Sequence, residues 1–250
     1  MKSEFIHLHN HSDHSLLDGA QNVNSILERM DDLSMDSVAL TEHGNLFGAI
    51  SFYKQAKKNN IKPIIGCEVY VAKGSSLVRD KSGGMGNYNH LVLIAQNLKG
   101  YQNLMKIVTH GYLEGFYYKP RVDLEILKKY NEGIICMSAC LKGSLPEALL
   151  YSGYARGQAV AEEYSSIFPD RYYIELQNHG IPEEIRNIEL ATKLAKDMGL
   201  PTVATNDAHY ARKEHHVAHD VHICIGTGKQ LSDSKRLKYP GHEFYFKSQD

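Results

Sequence analysis

The chain has no tryptophan and only four cysteines in 250 residues. Cys67, Cys136, Cys140 and Cys224 form no C-x-x-C pair, which excludes a disulfide framework and reads as a reduced intracellular set. An excess of charge of one sign is missing too. Lys+Arg 28 against Asp+Glu 29 leave a net charge of −1, so any contact with a polyanion has to come from a local patch. No apolar run approaches the roughly 18 residues of a membrane span. The start, Met1-Lys2-Ser3-Glu4-Phe5-Ile6-His7, lacks the apolar centre of a signal peptide. The chain is therefore expected to be cytoplasmic, with no membrane partner. With 42% hydrophobic and 23% charged residues, disorder is excluded as well.

What is present is a recurrence of β-rich apolar runs with helical stretches between them. Seven strands are expected, near Phe5–His9, Ser37–Leu40, Lys62–Val71, His90–Ile94, Gly133–Met137, Tyr172–Leu176 and Thr202–Ala204. Between them Ile26–Met30, Ala49–Lys58, Leu104–Tyr112, Leu145–Leu150, Ala159–Phe168 and Glu183–Met198 carry apolar residues at three- and four-residue spacing. This alternation predicts an α/β fold of parallel strands and crossover helices, a distorted seven-stranded β/α barrel. The rival, an open doubly wound sheet, lacks its G-x-G-x-x-G turn after the first strand. Lys73–Asn89, rich in Gly and Ser, reads as a surface loop, and Gly226–Gly241 begins an exit linker running to residue 250.

Histidine is the anomaly, with fourteen copies. His7, His9 and His11 alternate, so a strand would put all three on one face, at a desolvation cost that metal or charge partners would offset. The same chemistry recurs at other strand ends. His43 follows the second strand, Glu68 lies in the third, Cys140 follows the fifth, and Asp207 and His209 follow the seventh. His90 fits least well, because it precedes its strand's apolar run. Barrels gather catalytic groups at the C-terminal face, where every βα loop opens. With Asp18, the set holds five histidines, three carboxylates and one thiol, more than one tetrahedral zinc uses, which points to a multinuclear centre. The donor mixture suits zinc, manganese or iron better than magnesium or calcium alone.

Four stretches carry a specific likeness: His7-Leu8-His9-Asn10-His11-Ser12 leading to Asp18, Leu40-Thr41-Glu42-His43-Gly44-Asn45, Pro63-Ile64-Ile65-Gly66-Cys67-Glu68, and Thr205-Asn206-Asp207-Ala208-His209-Tyr210. Together they resemble the polymerase and histidinol phosphatase (PHP) superfamily, in particular its bacterial replicase branch, over essentially the whole chain. The resemblance implies a PHP domain over 1–225 and, in 226–250, a linker toward a polymerase core outside this chain. It implies up to three divalent ions: His9, His11, Glu68 and Asp207 on the first, which would also be the catalytic group; Glu68, His90 and Cys140 on the second; Asp18, His43 and His209 on the third. The implied activity is metal-dependent phosphoester hydrolysis, as a 3′→5′ exonuclease on a DNA primer end, with the polymerase core and other replicase subunits as partners. Rival readings are a stand-alone phosphatase of the histidinol phosphate type and a non-catalytic, metal-stabilised scaffold. The full set of nine ligand-capable residues weighs against the scaffold, since a structural zinc needs four.

Other motifs take plainer readings. No D-x-D pair occurs, so polymerisation chemistry is absent, and Asp31-Asp32 reads as a helix end. His215, His216, His219 and His222 have helical spacing without an H-E-x-x-H glutamate and read as a structural or DNA-facing helix. His14 reads as a solvated residue rather than a tenth ligand. Lys119, Arg121, Lys128 and Lys129 read as solvated surface, with backbone phosphate contact as the alternative, and Tyr117-Tyr118 could stack an unpaired base. Cys67, Cys136 and Cys224 are expected as buried small hydrophobes.

Overall fold

In the computed structural model, residues 4–79 and 87–249 are described. Strands form where apolar residues run together: β1 (Ser37–Leu40), β2 (Lys62–Ala72), β3 (Tyr88–Ala95), β4 (Phe116–Tyr117), β5 (Lys119–Val122), β6 (Ile134–Met137), β7 (Tyr172–Leu176) and β8 (Thr202–Ala204). They make one curled sheet in the order β4-β5-β2-β3-β6-β7-β8, with β1 paired to β2. Around it pack α1 (Val23–Asp32), α2 (Ala49–Lys58), α3 (Leu98–Leu113), α4 (Leu124–Lys129), α5 (Ser144–Glu147), α6 (Tyr154–Ile167), α7 (Pro182–Met198) and α8 (His216–Thr227). Among the described residues no helix is long and apolar enough to cross a membrane.

Local chemistry explains the helix boundaries. Asn22 caps α1 in a reciprocal box with Ser25, and Val23, Ile26, Leu27 and Met30 form its buried stripe. Pro182 opens α7, Glu183 and Glu184 sit at its positive end, and Gly199 closes it in the left-handed conformation. Strand alternation sorts side chains between two cores. Cys67, Val69 and Val71 of β2 and Leu91 and Leu93 of β3 join α3, α6 and α7 in the outer core. Val92 and Ile94 join Met137 and Ala139 in a smaller inner cluster. Glu68 lies opposite Val92, which puts a carboxylate inside the curl.

The barrel-like architecture holds, with three departures from the sequence reading. First, Phe5–His9 is not a laddered strand. It is an extended segment tied by single bridges, His7 to Val38 of β1 and Asn10 to Ala208 beyond β8, so it joins the two edges of the sheet. Second, β3 runs antiparallel to both β2 and β6, and among the described residues no helix separates it from β2. Reversal puts the first residues of β3 at the same end as the last residues of its neighbours, which is why His90 belongs with the strand-end residues. Third, the stretch read as a linker folds back. His209 N–H donates to Phe244 O, Phe246 N–H to Tyr210 O, and the Asn206 amide to Glu243 O and Tyr245 O. Phe246 is wholly buried against α1, α2 and β1. Burial of an aromatic ring contributes about 1.5–3 kcal/mol, enough to hold the segment down.

Of the Gly- and Ser-rich loop, Ser82, Gly83, Gly84 and Gly86 lie outside the described residues. The basic cluster is divided: Lys128 and Lys129 are exposed, with Lys128 paired to Glu125, whereas Arg121 is buried and donates to the carbonyls of Gly115, Ser76 and Val78. Cys67, Cys136 and Cys224 are buried.

Candidate metal centre

All nine residues singled out in the sequence meet at one end of the curled sheet. His9 and His11 arrive on the edge-joining segment. His7, the third of the alternating set, sits at its other end against Phe246 (ring centroids 4.2 Å apart) and donates from Nε2 to Lys247 O (3.0 Å), so it takes no part in the site.

Distances sort the nine into overlapping groups. His9 Nε2 and His11 Nε2 lie 3.2 and 3.1 Å from Asp207 Oδ1, and 3.6 and 3.5 Å from the two Glu68 oxygens. His90 Nδ1 is 2.7 Å from Glu68 Oε1, and Cys140 Sγ is 3.9 Å from His90 Nδ1. His43 Nε2 is 3.2 Å from Asp18 Oδ1. The rings of His11, His43 and His209 pack face to face, with centroids 3.9 and 4.5 Å from His11. Three triads each offer ligand atoms within 4.8 Å of one another: His11, His43 and His209; His9, His11 and Asp207; His43, Glu68 and His90.

Such crowding shifts the titration of several of these groups. Burial would raise Glu68 and Asp207, but the imidazoles of His90 and His43 around the first, and of His9 and His209 around the second, hold both well below the carboxylate range. His11 is pushed down to about 3 by burial and by the cationic neighbours His43 and His209. His43 is drawn up to about 10 because Asp18 and Glu68 outweigh its own burial. Burial, with Glu68 and Asp207 nearby, pushes the Cys140 thiol up.

A fit test for metal comes from the hydrogen bonds. His9 Nε2, His11 Nε2, Asp18 Oδ1, His43 Nδ1, Glu68 Oε2 and Asp207 Oδ1 are buried and face one another rather than forming regular hydrogen bonds: Asp207 Oδ1 lies 3.2 and 3.1 Å from His9 and His11, and His43 Nδ1 2.5 Å from Glu68 Oε2. All six belong to the nine residues and point into the same volume, so a group of divalent ions matches the donor set.

Outer partners aim these side chains, and sequence reading passes over them. His9 Nδ1 donates to Glu175 Oε1 (2.6 Å), leaving Nε2 for the cluster. Glu175 is itself held by Thr205 Oγ1 and by Gln177 Nε2. His11 Nδ1 donates to Ser15 Oγ (3.0 Å), whose own proton goes to Glu42. His209 Nδ1 donates to the carbonyl of Asp207 (2.7 Å). Tyr239, from the folded-back segment, reaches Asp18 Oδ2 (3.2 Å) and His209 Nε2 (3.0 Å). Only the lone carboxylate in the otherwise apolar Tyr172–Leu176 hinted at one of these. Asp207 and Ala139 adopt left-handed backbone (φ 44° and 63°), a cost of roughly 1–2 kcal/mol each held in place beside the cluster.

A cleft of about 550 Å³ opens onto the cluster. Its floor includes Asp18, His43, His90, Cys140, Asp207 and His209, and its walls are largely aromatic. His14 lines it, half exposed and hydrogen-bonded to Ser12, outside the three triads. Of the helical histidines, His219 is buried, with its ring 5.9 Å from that of His209.

The PHP domain model matches residues 7–179. The chain is 46% identical over 250 residues to the DNA polymerase III subunit alpha of Borreliella burgdorferi, covering 100% of this chain and 22% of that protein. To the same subunit of Thermus aquaticus it is 44% identical, covering 99% of this chain and 20% of that one. The chain thus spans about a fifth of the length of these relatives. Among solved structures, a putative metal-dependent phosphoesterase from Bifidobacterium adolescentis shares the fold with a TM-score of 0.53 at 10% identity, over 82% of this chain and 87% of that one.

Proposed function

The chain belongs to the PHP domain family, and from that membership we propose that it is the phosphoesterase domain of a bacterial DNA polymerase III alpha subunit, cleaving phosphodiester bonds as a 3′→5′ exonuclease at a three-ion centre. The observation that carries this reading is the set of six buried nitrogen and oxygen atoms that converge on one another beneath an open cleft. His9, His11, Glu68 and Asp207 would hold one ion, Glu68, His90 and Cys140 a second, and Asp18, His43 and His209 a third; zinc, manganese and iron suit this nitrogen, oxygen and sulfur set. Bound there, divalent ions supply Lewis acidity toward a phosphoryl oxygen and acidify a water toward neutral pH.

The chain's own residues do the rest. Glu68 serves two groups, with Oε1 toward His9 and His90 and Oε2 toward His11. Glu175 and Ser15 fix which nitrogen of His9 and of His11 carries the proton. Lys119 and Lys142 line the cleft and supply positive charge for a phosphate chain. A polymerase core in the same parent chain, other replicase subunits and the primer terminus are the partners this reading carries.

The test is nucleotide release from a 3′-labelled mismatched primer by the purified chain with manganese, against a His11→Ala copy. Release that depends on His11 is the expected result. Silence from both, with metal bound to the unsubstituted protein, overturns the exonuclease reading for this chain.

A further inference from the structure

Four aromatic side chains on the cleft wall stand exposed where the phosphoester chemistry does not use them. Phe47 is 60% exposed, Tyr118 51%, Phe116 46% and Tyr112 38%. Three of them form a run: Phe47 and Tyr112 have ring centroids 6.1 Å apart, and Tyr112 stacks with Phe116 at 6.4 Å. Tyr118 occupies the tip of the β4–β5 hairpin with φ 60°, a left-handed conformation that an aromatic residue rarely adopts and that glycine would take without strain. The fold thus keeps a ring at the mouth of the cleft where a smaller residue would be more comfortable. Lys119 lies beside them with Nζ 5.3 Å from the Tyr70 ring, and Tyr70 in turn packs 5.3 Å from His90 and 6.3 Å from His43. Aromatic faces, cations and the cluster therefore share one continuous surface.

We infer that Phe47, Tyr112, Phe116 and Tyr118, with Lys119 and Lys142, form a stacking subsite for the unpaired bases of a single nucleic-acid strand whose terminal phosphodiester reaches the cluster. This deepens the phosphodiesterase reading and rests on it. A small phosphate monoester would fill only the cluster end and gain nothing from four exposed rings. Paired bases have their faces covered by neighbouring base pairs, so a duplex cannot use the wall without fraying. Recognition is by faces rather than edges, because the amide donors on the lining are already engaged, and the one free amide acceptor, Gln177 Oε1, is buried. Asn45 donates to the carbonyls of His14 and His43 and accepts from Phe47 N–H, and Gln177 donates to Glu175 and Thr205. The subsite is accordingly tolerant of sequence and selective for single strands.

The experiment is fluorescence anisotropy of a labelled short oligothymidylate, single-stranded and in a blunt duplex, titrated with the whole chain in EDTA so that no hydrolysis occurs. Single strands are expected to bind more tightly. Phe47→Ala and Phe116→Ala are each expected to weaken that binding roughly 5- to 100-fold, and Tyr151→Ala, equally exposed but off the cleft, to leave it unchanged. Tyr118→Gly is expected to weaken binding while raising the melting temperature, a combination that a merely structural tyrosine would not produce. Equal affinity for duplex and single strand overturns the inference, as does unchanged binding by folded Phe47→Ala and Phe116→Ala proteins. The two readings fail separately. Selective single-strand binding without nucleotide release under manganese sinks the exonuclease and keeps the subsite, whereas release without selectivity does the reverse.

Discussion

Replacing Glu175 by glutamine tests whether the outer partners set metal affinity. Glu175 is buried and accepts the His9 Nδ1 proton at 2.6 Å. A hydrogen bond to a charged group contributes about 1.5–3 kcal/mol, and a neutral one about 0.5–1.5 kcal/mol. Glutamine keeps the shape and an acceptor but removes the charge, so the loss at His9 is about 1–1.5 kcal/mol, roughly tenfold in affinity. It also turns a donor toward Gln177 Nε2, which now donates to Glu175 at 2.9 Å. Glu175→Leu goes further, because Nδ1–H is left buried without an acceptor and the ring is free to present either nitrogen. A loss approaching 100-fold is expected there, the upper range for removing such a partner. The assay is competition for zinc against a chromogenic chelator, with circular dichroism to confirm the fold. Glu184→Gln is the control, since His179 Nδ1 makes a similar 2.7 Å bond to Glu184 in a buried setting outside the cluster. That variant is expected to lose stability and keep zinc affinity. If Glu175→Gln binds every ion as tightly as the unsubstituted chain, the argument that this carboxylate orients His9 is wrong.

Metal removal is expected to lower stability, because ligand at 100 times its dissociation constant stabilises by about 2.7 kcal/mol, or about 5–10 °C for a chain of this size; a melting temperature indifferent to EDTA would contradict the fit of the six converging atoms. Asp123 caps α4 through Ile126 N–H and accepts from Ser76 N–H and Oγ, and although burial opposes it, these bonds depress its carboxyl. Its contribution is therefore present above the unfolded carboxylate pKa and lost as pH falls through the folded one. Asp123→Asn keeps the cap but removes the charge from these bonds, so it is expected to cost about 1 kcal/mol at neutral pH, in a gap that closes under acid in urea titrations run at several pH values. Phe246→Ala is expected to cost about 3–5 kcal/mol and to expose residues 229–240 to limited proteolysis; an unchanged digest would show that the folded-back segment does not depend on this ring.

Much of this protein was written locally. Helix α2 and strands β1, β7 and β8 have the boundaries that apolar spacing predicts, because their apolar and turn residues are adjacent in the chain. The nine cluster residues were visible for a related reason: imidazoles, carboxylates and a thiol at successive strand ends are too costly to bury without a common partner. Direction and pairing were not local. Nothing in the run His90–Ile94 says whether it lies parallel or antiparallel, since its alternation reads the same from either end, and only its ladders with β2 and β6 bring His90 to the mouth. The segment 7–11 has a strand's composition but only one bridge to each edge. Glu175, Ser15 and Glu42 gain their roles from bonds that span 166, 4 and 27 positions, of which only the 4-residue contact is close in sequence. The aromatic wall draws Phe47, Tyr112, Phe116 and Tyr118 from two separate regions of the chain, and Phe246 anchors a segment whose polar composition reads as a linker. Composition and periodicity determined which residues must be buried and which chemistry they could perform. Tertiary structure alone decided which of them face one another, because the energy of an ion cluster or a ring contact depends on distances that chain order does not encode.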